Sequence, residues 1–190
     1  MNSEVMICNL ALSNIGKTGI NSLEEASSEA LVCRRFYAYV RDELLSMHPW
    51  HFARKQAPLA QLLVPSSSAW TRAYQRPHDC LKISGLIDHP FRCNEDPRSH
   101  NPAYTLVGDT ILCDLSPAFL DYTARMIDPA YYPVLFTQAL SWQLSARISI
   151  PMTQDPRLRA DIYQMAVSAF NKAASHDANE AHKHFDHLTI

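Results

Sequence analysis

Of the nine histidines in the sequence, four crowd the C-terminus: His176, His182, His184 and His187, beside Asp177, Glu180 and Asp186. Imidazole and carboxylate ligands of this kind gather zinc or nickel. A metal site also needs a rigid outer shell to orient each ring, and this stretch has no apolar frame to supply one, so it reads as solvated tail. A second pair, His48 and His51, has H-x-x-H spacing around Pro49-Trp50. Two ligands at that spacing need a continuous helix to align them. Proline breaks it, so His48, Pro49, Trp50 and Phe52 read as a structural corner that ends a helix. No metal and no cofactor is expected.

Other chemistries lack their signatures. A serine nucleophile on a strained turn calls for G-x-S-x-G, which is absent, and Ser66-Ser67-Ser68 reads as loop. Glu24, Glu25, Asp42, Glu43, Asp109 and Asp114 are available for paired-carboxylate glycoside hydrolysis, but nothing in the sequence singles out a pair. Only four glycines occur, and no G-x-G-x-x-G or G-x-x-x-x-G-K run, so a phosphate-cradling loop is excluded. The five cysteines, Cys8, Cys33, Cys80, Cys93 and Cys113, form no C-x-x-C pair and read as reduced, buried, small hydrophobes. Trp50, Phe52, Trp70 and Tyr74 alternate with Arg54, Lys55, Arg72 and Arg76, a pattern able to stack on nucleic acid. Aromatic packing beneath arginine stems is the preferred reading. No catalytic residue is expected.

The elements that would hold these residues are set by length and patterning. The 190 residues fit one domain, or one domain with an insertion. Hydrophobic residues make up 47% and charged residues 19%, enough for a sizeable core. A net charge of -2 argues against broad electrostatic capture of nucleic acid. No apolar run is long enough for a membrane span, and an N-terminus with Glu4 and no basic residue does not read as a secretory signal.

Ser3 is placed to cap a helix bearing Val5, Met6, Leu10, Ala11 and Ile15, with Gly16 as its stop. After a short loop, Ala30, Cys33, Phe36, Tyr37, Val40, Leu44 and Met47 step at helical spacing, opposite Arg34, Arg35, Arg41 and Asp42. Leu31 and Leu45 fall on the polar side. Together with Tyr39 they are the candidate subunit contacts.

Residues 54–128 hold more than half of the prolines and no helical period, so strands are expected at Cys80–Ile87, Tyr104–Val107, Thr110–Cys113 and Leu120–Ile127. Gly108-Asp109 suits a tight hairpin, and Asp88 to Pro102 reads as a long polar loop. Val134 to Ile150, whose one charged residue is Arg147, reads as a helix buried on most sides and ended by Pro151. Asp155-Pro156 opens a last helix with Leu158, Ile162, Met165, Ala169, Phe170 and Ala173 on one face, and helical patterning ends at Ser175. The expected fold is mainly α: an antiparallel bundle of N-terminal (1–53) and C-terminal (129–175) helices, a β-rich insertion at 54–128 and a flexible tail at 176–190.

Beyond these patterns, the run Ile7-Cys8-Asn9-Leu10-Ala11-Leu12-Ser13-Asn14-Ile15-Gly16, followed by Ile20-Asn21-Ser22-Leu23-Glu24-Glu25, resembles the opening of a phage family. This is the tail tubular protein A, or head-to-tail adaptor, family of short-tailed bacteriophages and prophages. The resemblance continues through Arg41-Asp42-Glu43-Leu44-Leu45, His48-Pro49-Trp50-His51-Phe52-Ala53, Trp70-Thr71-Arg72-Ala73-Tyr74 and Asp79-Cys80-Leu81. It extends to Asp128-Pro129, the Leu135 to Ile150 helix and Pro151-Met152-Thr153-Gln154, spanning residue 3 to about 178. His51 stands where asparagine is more usual.

The resemblance implies a virion protein of the tail or neck, made in the host cytoplasm. It would assemble as a dodecameric ring beneath the portal, though a monomer when free would be compatible. Such a ring contacts the portal and the tail nozzle and lets double-stranded DNA pass through its lumen without specific binding. It has no contact with membrane. A C-terminal tail that orders against the portal makes His182, His184, Phe185, His187, Leu188 and Ile190 the candidate portal-binding residues. A tail-associated glycan hydrolase is the alternative function.

Overall fold

The computed structural model describes residues 2–64, 68–88 and 102–183, with backbone alone from 181. The chain divides into two compact units, Met1–Phe52 with Met126–Ile190, and Ala53–Arg125.

Among its described residues the first unit is built from four α-helices: α1 (Glu4–Asn14), α2 (Ser28–Met47), α3 (Val134–Met152) and α4 (Pro156–Lys183). Their starts follow from capping chemistry. Ser3 Oγ accepts from Met6 N, Ser27 Oγ from Ala30 N, and Asp155 Oδ1 from Arg157 N just past Pro156. After α1, Gly16 takes the positive φ of +68° that ends the helix. The Asn9 side chain then clamps the loop that follows, accepting from Ile20 N at 2.7 Å and donating to Ile20 O at 2.9 Å.

Helix α3 is central, as its scarcity of charge suggests. Phe136, Ala139, Leu140, Leu144 and Ile148 are buried, and so are the small polar residues Thr137, Ser141, Ser145 and Ser149 on a second stripe at four-residue spacing. Small side chains allow a neighbouring helix to come close. Helix α1 uses this stripe: Ser145 Oγ donates to Ala11 O at 3.1 Å and accepts from Asn14 Nδ2 at 3.0 Å, while Asn2 Nδ2 donates to Thr137 Oγ1.

Among its described residues the second unit has seven strands in two antiparallel sheets. One sheet has the order β1 (Arg54–Pro58), β7 (Phe119–Ala124), β4 (Cys80–Ile87). The other runs β2 (Gln61–Leu62), β3 (Arg72–Gln75), β6 (Thr110–Cys113), β5 (Tyr104–Val107). Gly108, at φ +59°, makes the turn between β5 and β6. Both sheets contribute to one apolar cluster, with Tyr74, Ile111 and Cys113 from one and Leu86, Leu120 and Tyr122 from the other.

Several expectations are corrected here. The fold is not a mainly-α bundle but a mixed α/β fold, about 50% helical and about 20% strand, because the middle segment closes a core of its own instead of extending from the helices. The α1 stripe is rotated: Ile7, Cys8, Ala11 and Leu12 are buried and Leu10 is exposed. On α2, Met47 is exposed whereas Arg41, paired with Asp42 at 2.8 Å, is buried. Helix α4 does not end at Ser175 but continues to Lys183. Its buried stripe Ile162, Ala166, Ala173 continues at Asp177, a polar residue that hydropathy patterning passes over.

Candidate functional site

Helix α2 stops before Pro49, leaving its last carbonyls without intrahelical donors. Trp50 folds back over this end and its Nε1–H donates to Leu44 O at 3.0 Å. The indole is fully buried, edge-on to Phe136 at 5.0 Å and to Phe170 at 6.2 Å. Phe52 lies 4.8 Å from Phe136, and Tyr132 5.0 Å from it. The four-residue corner therefore fastens the end of α2 to α3 and α4.

His48 and His51 complete it. His48 Nε2 and His51 Nδ1 each lie 3.0 Å from Asp177 Oδ2, and His51 N donates to Asp177 Oδ1 at 3.2 Å. Both rings must carry a proton on the nitrogen facing the carboxylate, since an unprotonated nitrogen there would meet only acceptor lone pairs. Asp177 is buried, and its charge is satisfied by three N–H donors. Among the described residues no group of three or more His, Cys, Asp or Glu side chains is arranged to hold a metal ion. The arrangement is a clasp less than two turns before the recorded end of α4 at Lys183. Sequence patterning gave no sign of it, because Asp177 lies 129 residues from His48 and outside any apolar period.

The remaining candidates are dispersed. Leu31 and Tyr39 are exposed on α2, the latter with the Arg147 guanidinium 5.4 Å above its ring and Arg147 bonded to Glu43 at 3.0 Å. Leu45 is corrected: it is fully buried, on the same side of α2 as Arg41, because the buried arc of this helix is wider than the apolar stripe. It belongs to the core and is not a surface contact. Of the tail candidates, His182 lies on the backbone of α4, and His184, Phe185, His187, Leu188 and Ile190 lie outside the described residues, as does Cys93. His176 faces Glu180 one turn on, at 3.6 Å.

The interleaved cations and aromatics are divided between the two units. Trp50 and Phe52 belong to the first unit and Arg54, Lys55, Trp70, Arg72, Tyr74 and Arg76 to the second. Arg54 Nε donates to Asp121 Oδ1 at 2.9 Å, Lys55 Nζ to Asp79 Oδ2 at 2.8 Å, and Arg76 Nη2 to Cys80 O at 2.7 Å. Each of these cations is thus engaged within the unit.

Burial alone would raise the Asp79 carboxyl, but hydrogen bonds from Lys55 and Tyr122 outweigh it and hold the group below the usual carboxylate range. Most of the acids that might have paired for hydrolysis also have partners: Glu24 accepts from Ser22, Glu25 from Asn21 N, and Asp114 from Thr71. The cysteines described, Cys8, Cys33, Cys80 and Cys113, are free and buried. A hydrogen bond to Cys33 together with burial pushes the Cys8 thiol up, so it stays protonated.

A feature that motif reading missed is a set of exposed apolar residues on the edges of the four-stranded sheet: Leu62, Leu63 and Val64 beside β2, and Leu106 and Val107 on β5. A run such as Tyr-Thr-Leu-Val marks a strand, but only the strand order reveals an edge. Compared with known proteins, the chain matches no family model and no curated protein.

Proposed function

We propose that the protein is a structural component of a phage particle, a head-to-tail adaptor that forms a ring between the portal and the tail nozzle and extends the DNA channel. The observation that carries this reading is the structural use made of the residues that resemble the adaptor family. Asn9 clamps Ile20, Asn14 reaches Ser145, Gly16 adopts positive φ, and Trp50 covers the end of α2. Four of the resembling residues thus act as joints of one helical unit, which supports reading them together.

Two further features are in keeping with it. Large apolar side chains stand exposed on α2 and α4, with Leu31 47%, Tyr39 59% and Tyr163 62% accessible, as a subunit that packs against neighbours requires. Net charge is slightly negative, and Arg54, Lys55 and Arg147 are neutralised internally. A lumen built from such copies would hold phosphate weakly and let DNA slide. No helix among the described residues is long and apolar enough to cross a membrane.

Velocity sedimentation of the protein with the purified portal ring of the same phage tests the reading. The protein is expected to move with the portal at a fixed stoichiometry. Two folded components that sediment independently at micromolar concentration would overturn it.

A further inference from the structure

The two sheets of the second unit treat their edges differently. An edge strand presents unpaired N–H and C=O groups to any passing strand, and proteins protect such edges with charge, proline or bulges. The three-stranded sheet does so. Its edge strand β1 carries Arg54 and Lys55 and ends at Pro58, and its other edge, β4, is broken by register shifts between Cys80 and Lys82 and between Ile83 and Gly85. Among the described residues the edges of the four-stranded sheet carry no charge, proline or bulge, and β2 is protected by its shortness alone. β5 is Tyr-Thr-Leu-Val, and the opposite edge is β2, Gln-Leu, continued outside the strand by Leu63 and Val64. Neither contains a charge or a proline, and Leu63 is 97% exposed.

Strand direction says what fits these edges. β2 is antiparallel to β3, β3 to β6 and β6 to β5, so with four strands the two outer ones run in opposite senses. A second copy brought alongside in the same orientation, as rotation about a ring axis requires, therefore sets its β2 antiparallel to the first copy's β5. The alternation continues unbroken, whereas an odd number of strands would force a parallel junction. β5 has four residues and β2 two, the latter followed by the exposed Leu63 and Val64, and with no charge on either side nothing repels.

From these observations we propose that copies of this protein join head to tail through the four-stranded sheet, β5 of one pairing antiparallel with Gln61–Val64 of the next. The main-chain groups supply the bonds, and Leu63, Val64, Leu106 and Val107 the apolar cover. A contact of this kind uses two different surfaces of each copy and closes into a ring when the rotation permits. A four-residue edge falls well short of the roughly 800 Å² per partner that a stable pair buries, so one junction alone does not hold two copies together. Junctions persist where each copy is held by both edges or is aligned by a template. The proposal deepens the ring reading above and rests on it for that template.

The test is cross-linking with a short bismaleimide. Cys93→Ser is placed in every variant, since the other cysteines are buried. Copies carrying Leu63→Cys are mixed with copies carrying Leu106→Cys, both free at millimolar concentration and on portal rings. Both positions are exposed, and circular dichroism verifies the fold of each variant. A covalent dimer from the mixture, absent from either variant alone and lost when Val107→Lys is added, is the expected result. Dimers from Leu106→Cys alone would overturn the head-to-tail pairing in favour of a symmetric one. Rings visible on the portal without any Leu63–Leu106 product would overturn the edge pairing and leave the adaptor reading standing. Product in the free protein with no binding to portal would do the reverse, and neither rings nor product would overturn both.

Discussion

His48 Nε2 and Asp177 Oδ2, 129 residues apart in the chain, lie 3.0 Å from each other in the first unit, with His51 Nδ1 at the same distance from the same oxygen. The contact ties the end of α2 to the last third of α4, a helix that also buries Ile162, Ala166 and Ala173 and sets Phe170 against Trp50. Replacing Asp177 with alanine leaves three N–H groups without their acceptor, at a cost of about 1–3 kcal/mol. Urea denaturation should register that loss, and hydrogen exchange should place it in residues 174–183. Unchanged exchange there would mean that the carboxylate does not hold the helix.

Trp50 makes a separate contribution to the same corner. Trp50→Ala empties the space beside Phe136 and Phe170 and should destabilise the first unit by about 3–5 kcal/mol. Trp50→Phe keeps most of the packing but leaves Leu44 O without its donor, a loss of about 1–2 kcal/mol. Wild-type stability of Trp50→Phe would show that the indole N–H contributes little, and equal losses from the two substitutions would show that the packing does.

Leu31, Tyr39 and Leu45 separate surface from core. Leu45→Asp puts a charge where no water reaches and should cost most of the 5–15 kcal/mol by which a domain of this kind is stable, so the variant is expected to be insoluble or unfolded. Leu31→Asp and Tyr39→Asp should keep wild-type melting within a few degrees while weakening assembly on the portal. If both assemble normally, the exposed face of α2 is not a subunit contact.

The second unit carries a pH dependence of its own. Its Asp79 carboxyl is held low by Lys55 and Tyr122, so its contribution is present above its ordinary value of 3.8 and is lost as pH falls through the depressed one. Lys55 is pushed up by its bond to Asp79, and Tyr122 by burial and then by Asp79. Their contributions are therefore complete below their ordinary values of 10.5 and 10.0 and are lost as pH rises through the elevated ones. Burial also raises the Cys80 and Cys113 thiols above their ordinary value of 9.0, so stability of this unit should be flat from about pH 4 to about pH 9 and fall on both sides. Asp79→Asn should lower the plateau and flatten both shoulders, which denaturant titrations at about pH 3, 7 and 11 would reveal. A variant with shoulders as steep as the wild type would place their origin elsewhere.

Much of this fold was legible in the sequence where one property sufficed. Ser3, Gly16, Asp155-Pro156 and Gly108 mark ends and turns through backbone chemistry alone, and β4, β5 and β6 coincide with the β-branched and aromatic runs at Cys80–Ile87, Tyr104–Val107 and Thr110–Cys113. Strands β1 to β3 escaped notice because Arg-Lys-Gln-Ala-Pro and its neighbours pair through the backbone while showing mostly polar side chains. The fold class was misread for a related reason. A run of short strands looks like an excursion until Tyr74 and Tyr122 are seen to share one core. Leu45 and Asp177 were misplaced because a stripe read at fixed spacing has one width and one chemistry. The buried side of α2 is broader than its apolar run, and that of α4 ends in a carboxylate satisfied by histidines. Nothing local could announce the His48–Asp177 contact, since each residue alone is a surface type.

Electron microscopy of the protein mixed with the purified portal ring of the same phage tests the adaptor function most directly. One added layer at a single end of the portal, with the portal's own rotational symmetry and a continuous central channel, is the expected image. Bare portal rings, under conditions where the protein's helical spectrum is intact and the portal accepts other tail components, would contradict the function proposed.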